Sequence, residues 1–193
     1  AVTPSPFDGA VNPFAILGLP ERFSLDVAAL ERTHRELSRA LHPDRHAQSG
    51  PEARRTALHR AVEVNEAHRV VRDPVRRAEA LFALAGLAVG EGVEPKASPA
   101  LLMDVMERRE SLAEAKAKGD LNAVAFLEKD VERWGARLED ALRRALDEHE
   151  AGEPSEARQA RLREALPLLG ELRFCRRFLA EARAVRDTLE GLA

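Results

Sequence analysis

Apolar residues recur at steps of three and four along almost the whole chain, and that spacing commits it to helices. The longest run is Val124, Leu127, Val131, Trp134, Leu138, Leu142 and Ala145, positions that share a face only at a helical period. Two further stripes, Leu30–Thr33–Leu37–Leu41 and Leu101–Val105–Leu112, repeat the pattern. Ala, Leu, Glu and Arg supply the intervening positions and favour helix, while Tyr is absent and the aromatic enrichment of sheets is missing. The expected fold class is all-α.

Proline and glycine divide the stripes. Pro13 to Leu19 predicts a short helix, and Ser24 is placed to cap the next, with Asp26 in its first turn. His42 to Gly50 reads as a loop. Ser49 and Glu52 then resemble a capping box, and Ala57, Leu58, Ala61, Val64, Asn65 and His68 form the expected inward side of the following helix. Asp73-Pro74 opens another helix. Gly90, Gly92 and Pro95 interrupt the chain before Ser98-Pro99 restarts it, so a first domain is expected over 10–88, a linker over 89–98 and a second domain over 99–193. Gly119-Asp120 breaks the second domain once, and a last element runs from Ser155 toward Leu189, with Pro167 and Gly170 favouring a bend. Three amphipathic helices with short connections predict a bundle.

Composition narrows the function classes. A formal net charge of -3 argues against a general nucleic-acid binder. No long uncharged apolar segment suggests a membrane span, and the opening Ala1 to Asp8 lacks a basic-then-apolar targeting pattern. The single cysteine, Cys175, excludes a multi-cysteine zinc or iron–sulfur site made by this chain alone and reads as a packed residue. No metal and no cofactor are expected.

Chemistry concentrates in Leu41-His42-Pro43-Asp44-Arg45, directly after a helix whose Arg32, Arg35 and Arg39 lie opposite its apolar face. Pro43 breaks the helix and displays an imidazole and a carboxylate in a turn. Arginines on one surface, extended by Arg45, suit directional ionic contacts to carboxylates of a partner protein. A metal site of His42, Asp44 and His46 lacks helical ligand geometry and a completed shell, and His34, His59, His68 and His149 form no recognisable site. A catalytic His–Asp pair lacks a nucleophile. The expectation is a binding protein and not an enzyme. In the second domain, Leu102, Met103 and Met106, with Glu107 and Glu110, extend around the helix beyond its core stripe, and Phe174 lies off the face through Leu169, Leu172 and Leu179. These residues are either a broader core or an apolar docking patch edged by charge.

The order of these motifs resembles the HscB family, J-domain co-chaperones of iron–sulfur cluster assembly. The resemblance rests on Pro13-Phe14-Ala15-Ile16-Leu17-Gly18-Leu19-Pro20, the His42-Pro43-Asp44 loop, Val64-Asn65-Glu66-Ala67, Asp73-Pro74-Val75-Arg76-Arg77-Ala78-Glu79, Leu101 to Glu110, and Leu172-Arg173-Phe174. It implies an N-terminal J-domain followed by a C-terminal three-helix bundle. It implies that His42, Pro43 and Asp44, supported by Arg32, Arg35, Arg39 and Arg45, stimulate a heat-shock ATPase of the HscA type. It further implies that Leu102, Met103, Met106, Glu107, Glu110 and Phe174 bind an IscU-type iron–sulfur scaffold protein. Met106 stands where a leucine is familiar, and a basic residue is replaced around Ala97. Without the paired-cysteine leader of some eukaryotic relatives, a bacterial cytoplasmic setting is expected. The alternatives are a general J-domain co-chaperone with another client, or a helical adaptor unrelated to chaperones.

Overall fold

The computed structural model describes residues 12–42, 45, 50–89, 98–148 and 155–191. Seven helices account for nearly all of them: α1 Pro13–Leu17, α2 Val27–Ala40, α3 Pro51–Arg72, α4 Pro74–Leu84, α5 Pro99–Lys118, α6 Leu121–Asp147 and α7 Ser155–Glu190. The protein is all-α, and no strand occurs among the described residues. The chain divides into two compact units, one formed by residues up to 91 with 146–150, the other by 92–145 with 151–193.

In the first unit, Phe14, Leu17, Phe23, Leu30, Val64, Val71, Ala78 and Phe82 form the core. Each helix start has a local cause. Asn12 caps α1 by accepting from the N–H groups of Phe14 and Ala15, and Gly18 closes it at φ 62°, a left-handed conformation that favours glycine. Asp26, rather than Ser24, caps α2 through the Ala29 N–H. Ser24 is used elsewhere: its backbone N–H and hydroxyl, with the Phe23 N–H, donate to the Asp147 carboxylate. The Ser49–Glu52 capping box is replaced by a cap at Gly50 without a side-chain hydrogen bond, and Ser49 itself lies outside the described residues. Asp73 ends α3 and caps α4, accepting from Val75 and Arg76. Arg77 lies buried, donating to the Val71 carbonyl at 2.7 Å with its guanidinium 4.8 Å from the Phe23 ring centroid.

The second unit is a three-helix bundle of α5, α6 and α7. Ser98 caps α5 through the Leu101 N–H, and Gly119, at φ 66°, ends it. Leu112 and Ala115 of α5 meet a core of Val124, Val131, Leu138, Leu142, Leu162, Leu169, Leu172, Cys175, Phe178 and Ala182. The bend anticipated at Pro167 and Gly170 does not interrupt α7, which is one continuous helix with Pro167 inside it. The N–H that proline lacks costs one hydrogen bond; Pro167 itself is exposed, and the burial of Leu162, Ala165, Leu166 and Leu169 on the other face of the helix offsets that cost. Glu128 is buried and paired to Arg186 at 2.7 Å, tying α6 to α7.

Candidate functional site

The α2 surface of the first unit follows from its amphipathic pattern. Leu30 is fully buried, Thr33, Leu37 and Leu41 are half-buried, and Arg32, Arg35 and Arg39 are exposed. The Arg35 Nε–H donates to the Glu31 carbonyl at 3.1 Å, which steers that side chain along the helix. His42 follows the Leu41 cap and is exposed, and the Arg45 N–H donates to the His42 carbonyl at 3.0 Å. Pro43, Asp44 and His46 lie outside the described residues. Polar contacts fix α2 against α3: His34 Nε2 lies 3.0 Å from Asn65 Oδ1, and Glu31 meets both His68, at 3.3 Å, and Arg72, at 3.4 Å. The His68 hydrogen bond holds the Glu31 carboxyl below its ordinary pKa, and the charges of Arg72 and His34 act in the same direction.

On the second unit, Leu102, Met103 and Met106 are 51 %, 71 % and 62 % exposed, and Glu107 and Glu110 are exposed beside them. At about 100° per residue these five positions fall within one arc of about 140° on α5. Apolar area this open lowers the free energy only when another surface covers it, and the two carboxylates offer a partner charge contacts at its edge. Behind this face, Arg108 bonds Asp130 at 3.2 Å and lies 4.9 Å from the Trp134 ring centroid. The Trp134 indole N–H donates to Glu171 at 3.2 Å. Burial raises the Glu171 carboxyl above its ordinary pKa against that hydrogen bond, and the Asp104 charge adds to the rise.

The family model described as the HSCB C-terminal oligomerisation domain matches residues 97–183. A co-chaperone protein HscB homolog of Ralstonia nicotianae is 44 % identical over 111 residues, 58 % of this chain and 63 % of that protein. One of Aromatoleum aromaticum is 37 % identical over 135 residues, covering 70 % of this chain and 76 % of its own length. The chain belongs to the HscB co-chaperone family. The structure of chaperone HscB from Vibrio cholerae superposes with a TM-score of 0.73 at 28 % identity, covering 93 % of this chain and 99 % of that one.

Within this HscB fold the anticipated residues separate into groups. Arg32, Arg35, Arg39, His42 and Arg45 are exposed on the first unit, and Leu102, Met103, Met106, Glu107 and Glu110 share the α5 face. Phe174 is not exposed with them. It is 7 % accessible, with its ring centroid 5.5 Å from Trp134 and 5.8 Å from Phe178. The buried stripe of α7 runs through Leu172, Cys175 and Phe178, leaving Leu179 at its margin and enclosing Phe174. Leu58, expected inward, is 61 % exposed, and Asn65 is exposed with its amide turned to His34, because α3 turns Val70 and Val71 into the core instead. The Arg108–Trp134–Glu171 network went unread in the sequence. Its one signal was Trp134, the sole tryptophan, set on the long α6 stripe with an N–H that burial obliges to find an acceptor.

Proposed function

We propose that this co-chaperone joins an IscU-type iron–sulfur scaffold protein to an HscA-type heat-shock ATPase in the bacterial cytoplasm, without a catalytic reaction of its own. The α5 face carries this reading. Three large apolar side chains stand open on a helix edged by Glu107 and Glu110, as an adaptor that grips a folded partner requires. Family membership and the order of motifs along the chain support the same assignment.

In this reading the ATPase docks on the arginine face of α2. Arg32, Arg35, Arg39 and Arg45 pair with its carboxylates and orient the encounter. His42, Pro43 and Asp44 then make the contacts that accelerate ATP hydrolysis. Scaffold side chains cover Leu102, Met103 and Met106, the methionines adapting to an irregular surface. Phe174 contributes from the core, through Trp134 and Arg108, by holding α5 in place.

Calorimetric titration of the full chain with the purified scaffold, compared with several unfolded client proteins, tests the assignment. Saturable scaffold binding that accompanies scaffold-dependent acceleration of single-turnover ATP hydrolysis is the expected result. Binding of unfolded clients with no measurable scaffold interaction would replace the reading by a general co-chaperone.

A further inference from the structure

Sequence spacing marked no metal site among the histidines, yet folding brings two of them together. His34 of α2 and His68 of α3 stack with ring centroids 4.0 Å apart and 20° between their planes. Glu31 precedes His34 by three residues and therefore shares its helix face. One ligand atom each from Glu31, His34 and His68 lies within 4.8 Å of the other two. We propose that Glu31, His34 and His68 bind one divalent transition-metal ion of the zinc type, stapling α2 to α3. This assignment is independent of the partners proposed above.

The donor chemistry selects the class of ion. Two imidazoles and one carboxylate suit zinc and its first-row neighbours, and a water completes the tetrahedron. Magnesium and calcium prefer all-oxygen shells and are poorly served. The Glu31 carboxylate supplies the negative charge that an uncharged imidazole pair lacks. Asn65, 3.0 Å from His34 Nε2, is an outer partner that restrains the ring, the role second-layer groups play around histidine ligands.

Two adjustments accompany loading. Nearly parallel rings send their lone pairs side by side, so one imidazole must splay for both to meet a single ion. His34 is half-exposed and has the room. Arg72, 3.4 Å from Glu31 and 64 % exposed, must swing toward solvent as the metal takes over its carboxylate.

Metal-stripped full chain titrated with Zn2+ by calorimetry, with thermal unfolding followed in parallel, decides the matter. The wild type is expected to show a binding event of one ion per chain and a melting temperature raised by several degrees at saturation, because the unfolded chain lacks the paired site. His34→Phe keeps a stacking ring, and Glu31→Gln keeps the side-chain shape. Each should weaken that event by at least about tenfold and abolish the zinc-dependent rise. Mg2+ should produce neither effect. The site is overturned if the wild type shows no such event, if Mg2+ stabilises as Zn2+ does, or if both variants bind zinc as the wild type does through other histidines. If one variant fails to fold, the other decides.

Discussion

The Arg108 guanidinium lies 4.9 Å from the centroid of the Trp134 ring, joining the helix that carries the exposed methionines to the centre of its bundle. The same guanidinium reaches Asp130 at 3.2 Å, so a cation, a carboxylate and an aromatic face converge on one side of α5. Arg108→Ala removes both contacts. Unfolding by urea should show a loss of about 1 to 2 kcal/mol, the sum expected of a cation–π contact and a partly exposed ion pair. A loss below the error of the measurement would mean that the network does not fix α5.

Glu171 ties this network to α7, and its raised pKa makes the stability of the unit pH-dependent. A carboxyl that holds its proton more tightly folded than unfolded opposes folding while ionised, and the opposition fades as pH falls through the folded pKa. Glu171→Gln keeps an acceptor for the Trp134 N–H and removes the charge. Its melting temperature at pH 7 should exceed that of the wild type, with the difference shrinking below the ordinary carboxylate range. A difference that widens on acidification would contradict the assigned cause.

Leu102, Met103 and Met106 are open enough that truncation leaves little cavity. The triple alanine variant should therefore unfold within about 0.5 kcal/mol of the wild type for each substitution. Scaffold affinity should fall by at least about tenfold, as anchoring side chains are lost. Unchanged affinity in this folded variant would remove the α5 face from the mechanism.

Phe174 should behave oppositely. Phe174→Ala opens the contact with Trp134 and Phe178 and should cost about 3 to 5 kcal/mol. Phe174→Leu, which refills much of the volume, should recover most of that stability together with scaffold binding. Calorimetry on the leucine variant distinguishes core support from direct contact. A stable leucine variant that cannot bind would show that the aromatic edge itself touches the scaffold.

His42→Gln and Asp44→Asn preserve size and should leave far-UV circular dichroism unchanged. Each should abolish acceleration of single-turnover ATP hydrolysis by an HscA-type ATPase. Wild-type acceleration by folded Asp44→Asn would exclude that carboxylate from the contact.

Much of the helical architecture was legible in the sequence because its signals are local. Asp73-Pro74, Ser98-Pro99 and Gly119-Asp120 mark helix ends through capping geometry that depends on a few adjacent residues. The misreadings arose where a local signal had a distant competitor. Ser24 resembled a cap until Asp147 engaged it, and the cap passed to Asp26 two residues on. Leu58 fitted the inward pattern of α3, yet the buried face of that helix runs through Ala57, Val64, Ala67 and Val71, and Leu58, beyond its edge, is exposed.

The sequence by itself determined that the chain is helical, where α4, α5 and α6 begin, and that α2 sets arginines opposite leucines, since periodicity and capping act within a few residues. Tertiary structure alone decided that Phe174 belongs to the core while Met103 stays open, because burial depends on which helices pack beside each face. It alone brought Glu31 and His34 to His68, across a sequence distance that no spacing rule spans, and set Arg108 over Trp134. These relationships exist only once side chains from separate helices compete for the same space.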